Sequence, residues 1–223
     1  MYFSDYKQHP LTTIRPTLLW EYHLTGFDYQ DMRNIVVQRV IERGWPDDFF
    51  AILNLYGEQG VGEAIRKIST MNRVDMNFVN VVFGIPLTEL RSRKRSNWED
   101  EARSVGTEPA TSPETAALNP EDPASPEDLA ARKLNDIIHK NRINDFVDIA
   151  RLSATLSLRK MITNYAARYP NSNPVMALKA MNFHQDIDFQ EPIPEADFNW
   201  DNTVERLAEM TGHPDKTFEK EEE

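Results

Sequence analysis

Few side chains in this sequence have the type and spacing for chemistry. Asp186 and Asp188, in the run Asp186-Ile-Asp188, have the Asp-x-Asp form that can hold divalent metals. No glycine turn precedes them and a Pro-rich stretch follows, so they read as a solvated loop. Arg91, Arg93, Lys94 and Arg95 form a second candidate, because clustered cations can neutralise nucleic-acid phosphates. They lie between the last N-terminal helix and an acidic stretch, so a solvated tail pairing loosely with Glu99, Asp100 and Glu101 is the first reading and nucleic-acid contact the second. Trp20, Tyr22, Phe27, Tyr29, Trp45, Phe49 and Phe50 could make an aromatic recognition surface, but aromatic residues at helical spacing are mostly core. The sequence has no cysteine, hence no disulfide, thiolate nucleophile or Cys-based zinc site, and its five His are too scattered to share a metal.

The elements that must carry these residues are helical. In the N-terminal part, Asp28 is placed to cap a helix with Met32, Ile35, Val36 and Val40 on one face, Asp31 at the capping-box position and Gly44 as the stop. Pro46, Asp47 and Asp48 open a second helix carrying Phe49, Ile52, Leu53 and Tyr56 before Gly57. Gly60 to Ile68 suggests a third. Asn72 caps a fourth, which turns Val74, Phe78, Val81 and Val82 inward and ends at Gly84, and Pro86 to Leu90 adds a turn. Only Thr13 to Tyr22 has an extended look.

The C-terminal part opens on Ser125-Pro-Glu-Asp128, a cap, a first-turn proline and two carboxylates at the positive end of a helix dipole, with Leu129, Leu134, Ile137 and Ile138 as the apolar face. Further helices are expected over 143–152, 157–169, 175–183 and 200–210. Between the two parts the composition changes. Residues 97–127 hold five prolines, a single aromatic and a large excess of carboxylates, too little apolar surface to offset chain entropy. The expected fold is therefore mainly α: helical modules at 1–95 and 125–215, a disordered linker at 96–124 and a charged tail at 216–223.

Composition bounds the function classes. The chain has 223 residues, a net charge of -11 and 40% hydrophobic residues, with a mean hydropathy of -0.59. No run approaches a membrane span, and the start lacks the pattern of a signal peptide, so a cytoplasmic protein without a membrane role is expected. The overall acidity opposes nonspecific binding to DNA.

Two resemblances add to this reading. Arg15-Pro-Thr-Leu-Leu-Trp-Glu-Tyr22, Met32-Arg-Asn-Ile-Val-Val-Gln-Arg-Val-Ile-Glu-Arg-Gly44 and Asp75-Met-Asn-Phe-Val-Asn-Val-Val-Phe-Gly-Ile-Pro86 make the region from about Arg15 to Leu90 similar to a small helical domain of unknown function encoded beside nucleotidyltransferase toxin genes in bacterial toxin–antitoxin loci. The stretch from Ser125 to Asp148, with Tyr165 to Pro174 and Met176 to Phe183, resembles the C-terminal helical half of AbiEii-type nucleotidyltransferase toxins. That likeness puts Lys133 where the family's lysine meets nucleotide phosphate, and Asp145 and Asp148 where aspartates brace a helix pair. Lys140 stands in place of the family's arginine, and Asn144 replaces the lysine before the first motif aspartate.

The resemblance covers only half of such an enzyme. Nucleotidyl transfer needs a Gly-Ser or Gly-Gly-Thr turn beside a strand and an Asp-x-Asp pair holding two metals, and this sequence offers no such turn. A structural Lys–Asp link is therefore expected at Lys133, ahead of a nucleotide contact, with no cofactor. His139 reads as exposed polar surface. The favoured function is a noncatalytic antitoxin that binds a nucleotidyltransferase toxin. The alternatives are a nucleotidyltransferase toxin, or a degenerate fragment of one, acting on RNA, and a DNA-binding autoregulator working through Arg91 to Arg95.

Overall fold

In a computed structural model, residues 1–93, 125–185, 187 and 199–218 are described. The expected linker at 96–124, Lys94, Arg95, Asp186 and Asp188 lie outside them, as does the tail from residue 219. The described residues form eight α-helices and contain no strand.

The N-terminal region starts with Tyr2 and Phe3 in the core and a single 3-10 turn at Tyr6–Gln8. The stretch expected to be extended contains another 3-10 turn, Pro16–Leu19, which buries Leu18 and Leu19. Helix α1, Arg33–Arg43, buries Val36, Val37, Val40 and Ile41. Its start departs from expectation. Asp28 does not cap it: the Asp28 carboxylate accepts from the Gln30 and Asp31 N–H groups (2.8 and 3.1 Å), closing a turn one step earlier, and Met32 stands at the N-cap with no side-chain bond. At the other end Gly44 is needed for closeness, since a Cβ there would lie 2.4 Å from the Val40 carbonyl oxygen.

Helix α2, Pro46–Lys67, is bent at Gly57, whose φ of 67° lies outside the helical region. The two helices expected on either side of Gly57 are thus joined across a kink that a residue with a side chain would adopt only under strain. Helix α3, Arg73–Phe83, begins on the Asn72 side chain, which accepts from the Asp75 N–H at 2.7 Å, and ends at Gly84 in the left-handed conformation. Its inward face is Asp75, Met76, Phe78, Val79 and Val82, whereas Val74 and Val81 are only half-buried.

The C-terminal helices follow their signals closely: α4 Pro126–Lys140, α5 Ile143–Leu152, α6 Leu158–Arg168, α7 Pro174–Asn182 and α8 Trp200–Gly212. Ser125, Ser157, Asn173 and Asn199 each accept a main-chain N–H at the start of a helix, and Asn141, with φ 49°, closes α4.

The two helical parts share one contiguous core. Helix α7 is its centre, packing against α3 on one side and α4, α6 and α8 on the others. Asn77 donates to the Asn182 carbonyl (2.7 Å) and Asn173 to the Gly44 carbonyl (2.8 Å), so main-chain groups exposed at helix ends in one part are satisfied by the other. The first residues and the segment after α8 also meet α6 and the end of α5. The Arg159 guanidinium reaches Asp5 (3.0 Å), Asp215 (2.5 Å) and the Tyr2 carbonyl (3.3 Å), and the buried Phe218 donates its N–H to the Ser153 carbonyl (2.8 Å). Phe3 stacks on Phe49 at 4.7 Å, the first of a run of ring contacts through Phe78 to Phe83.

Candidate functional site

Lys133 lies on α4 and Asp145 and Asp148 on α5. The two helices are packed neighbours joined by the short turn at Asn141 and Arg142, and positions 145 and 148, one helical turn apart, face the same way. Both carboxylates therefore converge on the Lys133 ammonium, Asp145 at 2.8 Å and Asp148 at 2.7 Å. Asp145 is buried and the other two side chains are partly covered. Burial works against the Lys133 charge, yet the bonds to Asp145 and Asp148 outweigh it and raise the lysine above its ordinary value. Two charge-assisted bonds take two of the three N–H groups of the ammonium and offset its charge, so a phosphate would compete with two carboxylates for it.

Lys140 does not join this group. It pairs with Asp136 at 2.8 Å along its own helix, near the exposed His139. Arg91 and Arg93 leave the N-terminal part beside the end of α2: the Arg91 N–H donates to the Arg66 carbonyl (3.2 Å), and the Arg66 side chain is held by Glu89 (2.7 Å). The aromatic residues divide. Phe49 and Phe50 are core; Tyr22, Phe27 and Tyr29 form a half-buried ladder of edge-on rings; Trp45 lies under the Arg15 guanidinium; Trp20 remains 70% exposed. Among the described residues, no three His, Asp or Glu side chains are grouped to hold a metal.

Two buried charge clusters escaped sequence reasoning. Asp48, fully buried, accepts from the Arg15 N–H (2.8 Å), the Arg15 Nε (2.7 Å) and the Trp45 N–H (2.8 Å), pinning the Arg15 segment to the start of α2. Lys179 of α7 donates to Asp75 of α3 and to the Ile41 carbonyl (2.6 Å) and lies 3.4 Å from the Glu42 carbonyl, while Asn72 donates to the other Asp75 oxygen (2.9 Å). Burial pushes the Asp75 carboxyl up, against the pull of Lys179. A signal for this cluster existed. Asp75 shares a helical stripe with Phe78, Val79 and Val82, and Lys179 follows Val175 by one turn, so each charge sits on an apolar face.

Residues 14–65 match a family of unknown function, DUF6922. The match takes in the Arg15–Asp48 cluster, α1 and most of α2, in keeping with a small helical domain of unknown function, and no match extends to the C-terminal helices. No curated protein and no solved structure matches the chain.

Proposed function

We propose that this chain is a noncatalytic binding protein, the antitoxin of a toxin–antitoxin pair, which neutralises a nucleotidyltransferase toxin by direct contact. The observation that carries this reading is the state of Lys133: the lysine at the toxin-like nucleotide position is committed to Asp145 and Asp148 and braces α4 against α5. In this role the C-terminal helices supply a shape related to the toxin's own, and the N-terminal helices extend the surface offered to it. A contact of ordinary size, roughly 800 Å² on each partner, fits on a molecule of these dimensions.

The test uses the whole chain. Co-expressed with a growth-arresting nucleotidyltransferase toxin, it restores growth and co-purifies with the toxin. Incubated alone with labelled nucleotides, magnesium and total transfer RNA, it incorporates no label. Incorporation that Asp145→Asn abolishes while helical circular dichroism persists would return the chain to the enzymes, and failure to bind any toxin of this class would end the antitoxin reading.

A further inference from the structure

The segment Pro10 to Arg15 crosses the surface beside α2 with a hollow on either side. One, of about 720 Å³, is lined by Leu11, Thr12, Arg15, Trp45 and Asp47 among others. The second, of about 490 Å³, is mostly apolar and lies among Ile14, Tyr29, Ala51, Asn54 and Leu55. Thr12 and Thr13 line both, so the segment is their common wall. It is anchored from below: Asn54 donates to the Tyr6 and His9 carbonyls (3.1 and 2.9 Å), and Arg15 is fixed to Asp48. The Thr12 N–H turns back to the His9 carbonyl (3.4 Å), and the rest of the main chain from Pro10 to Ile14 is unpaired within the protein. Among the described residues, the Leu11, Thr13 and Ile14 N–H groups and the carbonyls from Pro10 to Ile14 have no hydrogen-bond partner.

Two further observations define what fits there. Leu11 is 91% exposed and Leu55 42%, large aliphatic side chains left in water on the rims of the two hollows. The charge at the mouth is one-sided. Arg15 is paired with Asp48 and donates to the Arg43 carbonyl (3.1 Å), whereas the exposed Asp47 has no cation at ion-pair distance among the described residues.

We infer that the edge from Leu11 to Ile14 is a docking site for an extended segment of a partner protein in which aliphatic residues alternate with lysine or arginine. The partner's main chain pairs with the free groups of this edge, an aliphatic side chain enters the hollow at Ile14, Ala51 and Leu55, and a cation meets Asp47. The inference rests on reading the chain as a binding protein but does not need the partner to be a toxin.

The probe is an acetylated hexapeptide of alternating lysine and valine, titrated into the isotope-labelled full chain and followed by amide resonances. The expected result is a saturable shift at Leu11, Thr13, Ile14 and the Trp45 indole. Leu55→Asp abolishes it, and Asp47→Asn weakens it about threefold, the usual worth of an exposed ion pair, with helical circular dichroism unchanged in both variants. Peptides alternating glutamate with valine, or lysine with serine, do not bind. Equal binding of both lysine peptides would reduce the effect to nonspecific charge and overturn the inference, as would shifts elsewhere, no shift, or self-association of the chain through this face. If peptide binding fails while the full chain still rescues cells from the toxin, the docking edge is wrong and the antitoxin reading stands.

Discussion

Lys179 is the one buried cation among the described residues, and its surroundings show how the cost of burying it is met. The ammonium has a carboxylate, Asp75, and two acceptors in the last turn of α1, where the helix dipole is negative. Phe78 presents its ring face 5.5 Å away. Removing one partner leaves the other charged and dry. Lys179→Met is therefore expected to lower the unfolding free energy by about 3–5 kcal/mol, and Lys179→Met combined with Asp75→Leu to recover more than half of that loss. Urea denaturation of the single and double variants checks this; a single substitution costing under about 1 kcal/mol would mean that the pair contributes little. The placement of both charges on apolar faces was legible in the sequence, but their partnership, 104 residues apart, was not.

At the scale of elements, capping chemistry did most of the local work. Asn72, Ser125 and Gly84 act where their types predict, because a cap is satisfied within three or four residues. Asp28 shows the competing outcome, since an Asx turn satisfies the same carboxylate one step earlier. The junction after α7 adds a pH response. His184 packs edge-on to Phe146 of α5 and Trp200 of α8, both at 5.5 Å, with its Nε2 2.9 Å from the Met181 carbonyl. Burial pushes the imidazole below its ordinary value, and the bond to Met181 opposes this only in part. The unfolded chain therefore takes up the proton first as pH falls. The stability held by neutral His184 is complete above about pH 6.5 and is lost as pH falls through the folded value. Denaturation midpoints of the native chain should fall over that range more steeply than those of His184→Phe, and identical slopes would show that His184 titrates freely.

At the scale of the whole molecule, the docking of the two helical parts decides what can be tested separately. Arg159 covers the Tyr2 ring and α7 and α8 pack on α3, so either part alone exposes apolar surface that the other buries. Residues 1–93 and 125–223, expressed together as two chains, are expected to assemble one to one and unfold in a single transition, while each alone aggregates or loses most of its helix signal. Two independent transitions, or two well-folded separate parts, would refute this. Composition, caps and apolar spacing by themselves determined a mainly α chain, the class of nearly every element and most boundaries to within a residue or two, because those signals act over one or two helical turns. The Lys133 link to aspartate was also expected from the sequence, since its partners lie just across one short turn. Tertiary structure alone decided that α3 meets α7 and that Lys179 reaches Asp75 and the end of α1, because such pairings link residues that only the folded core brings together.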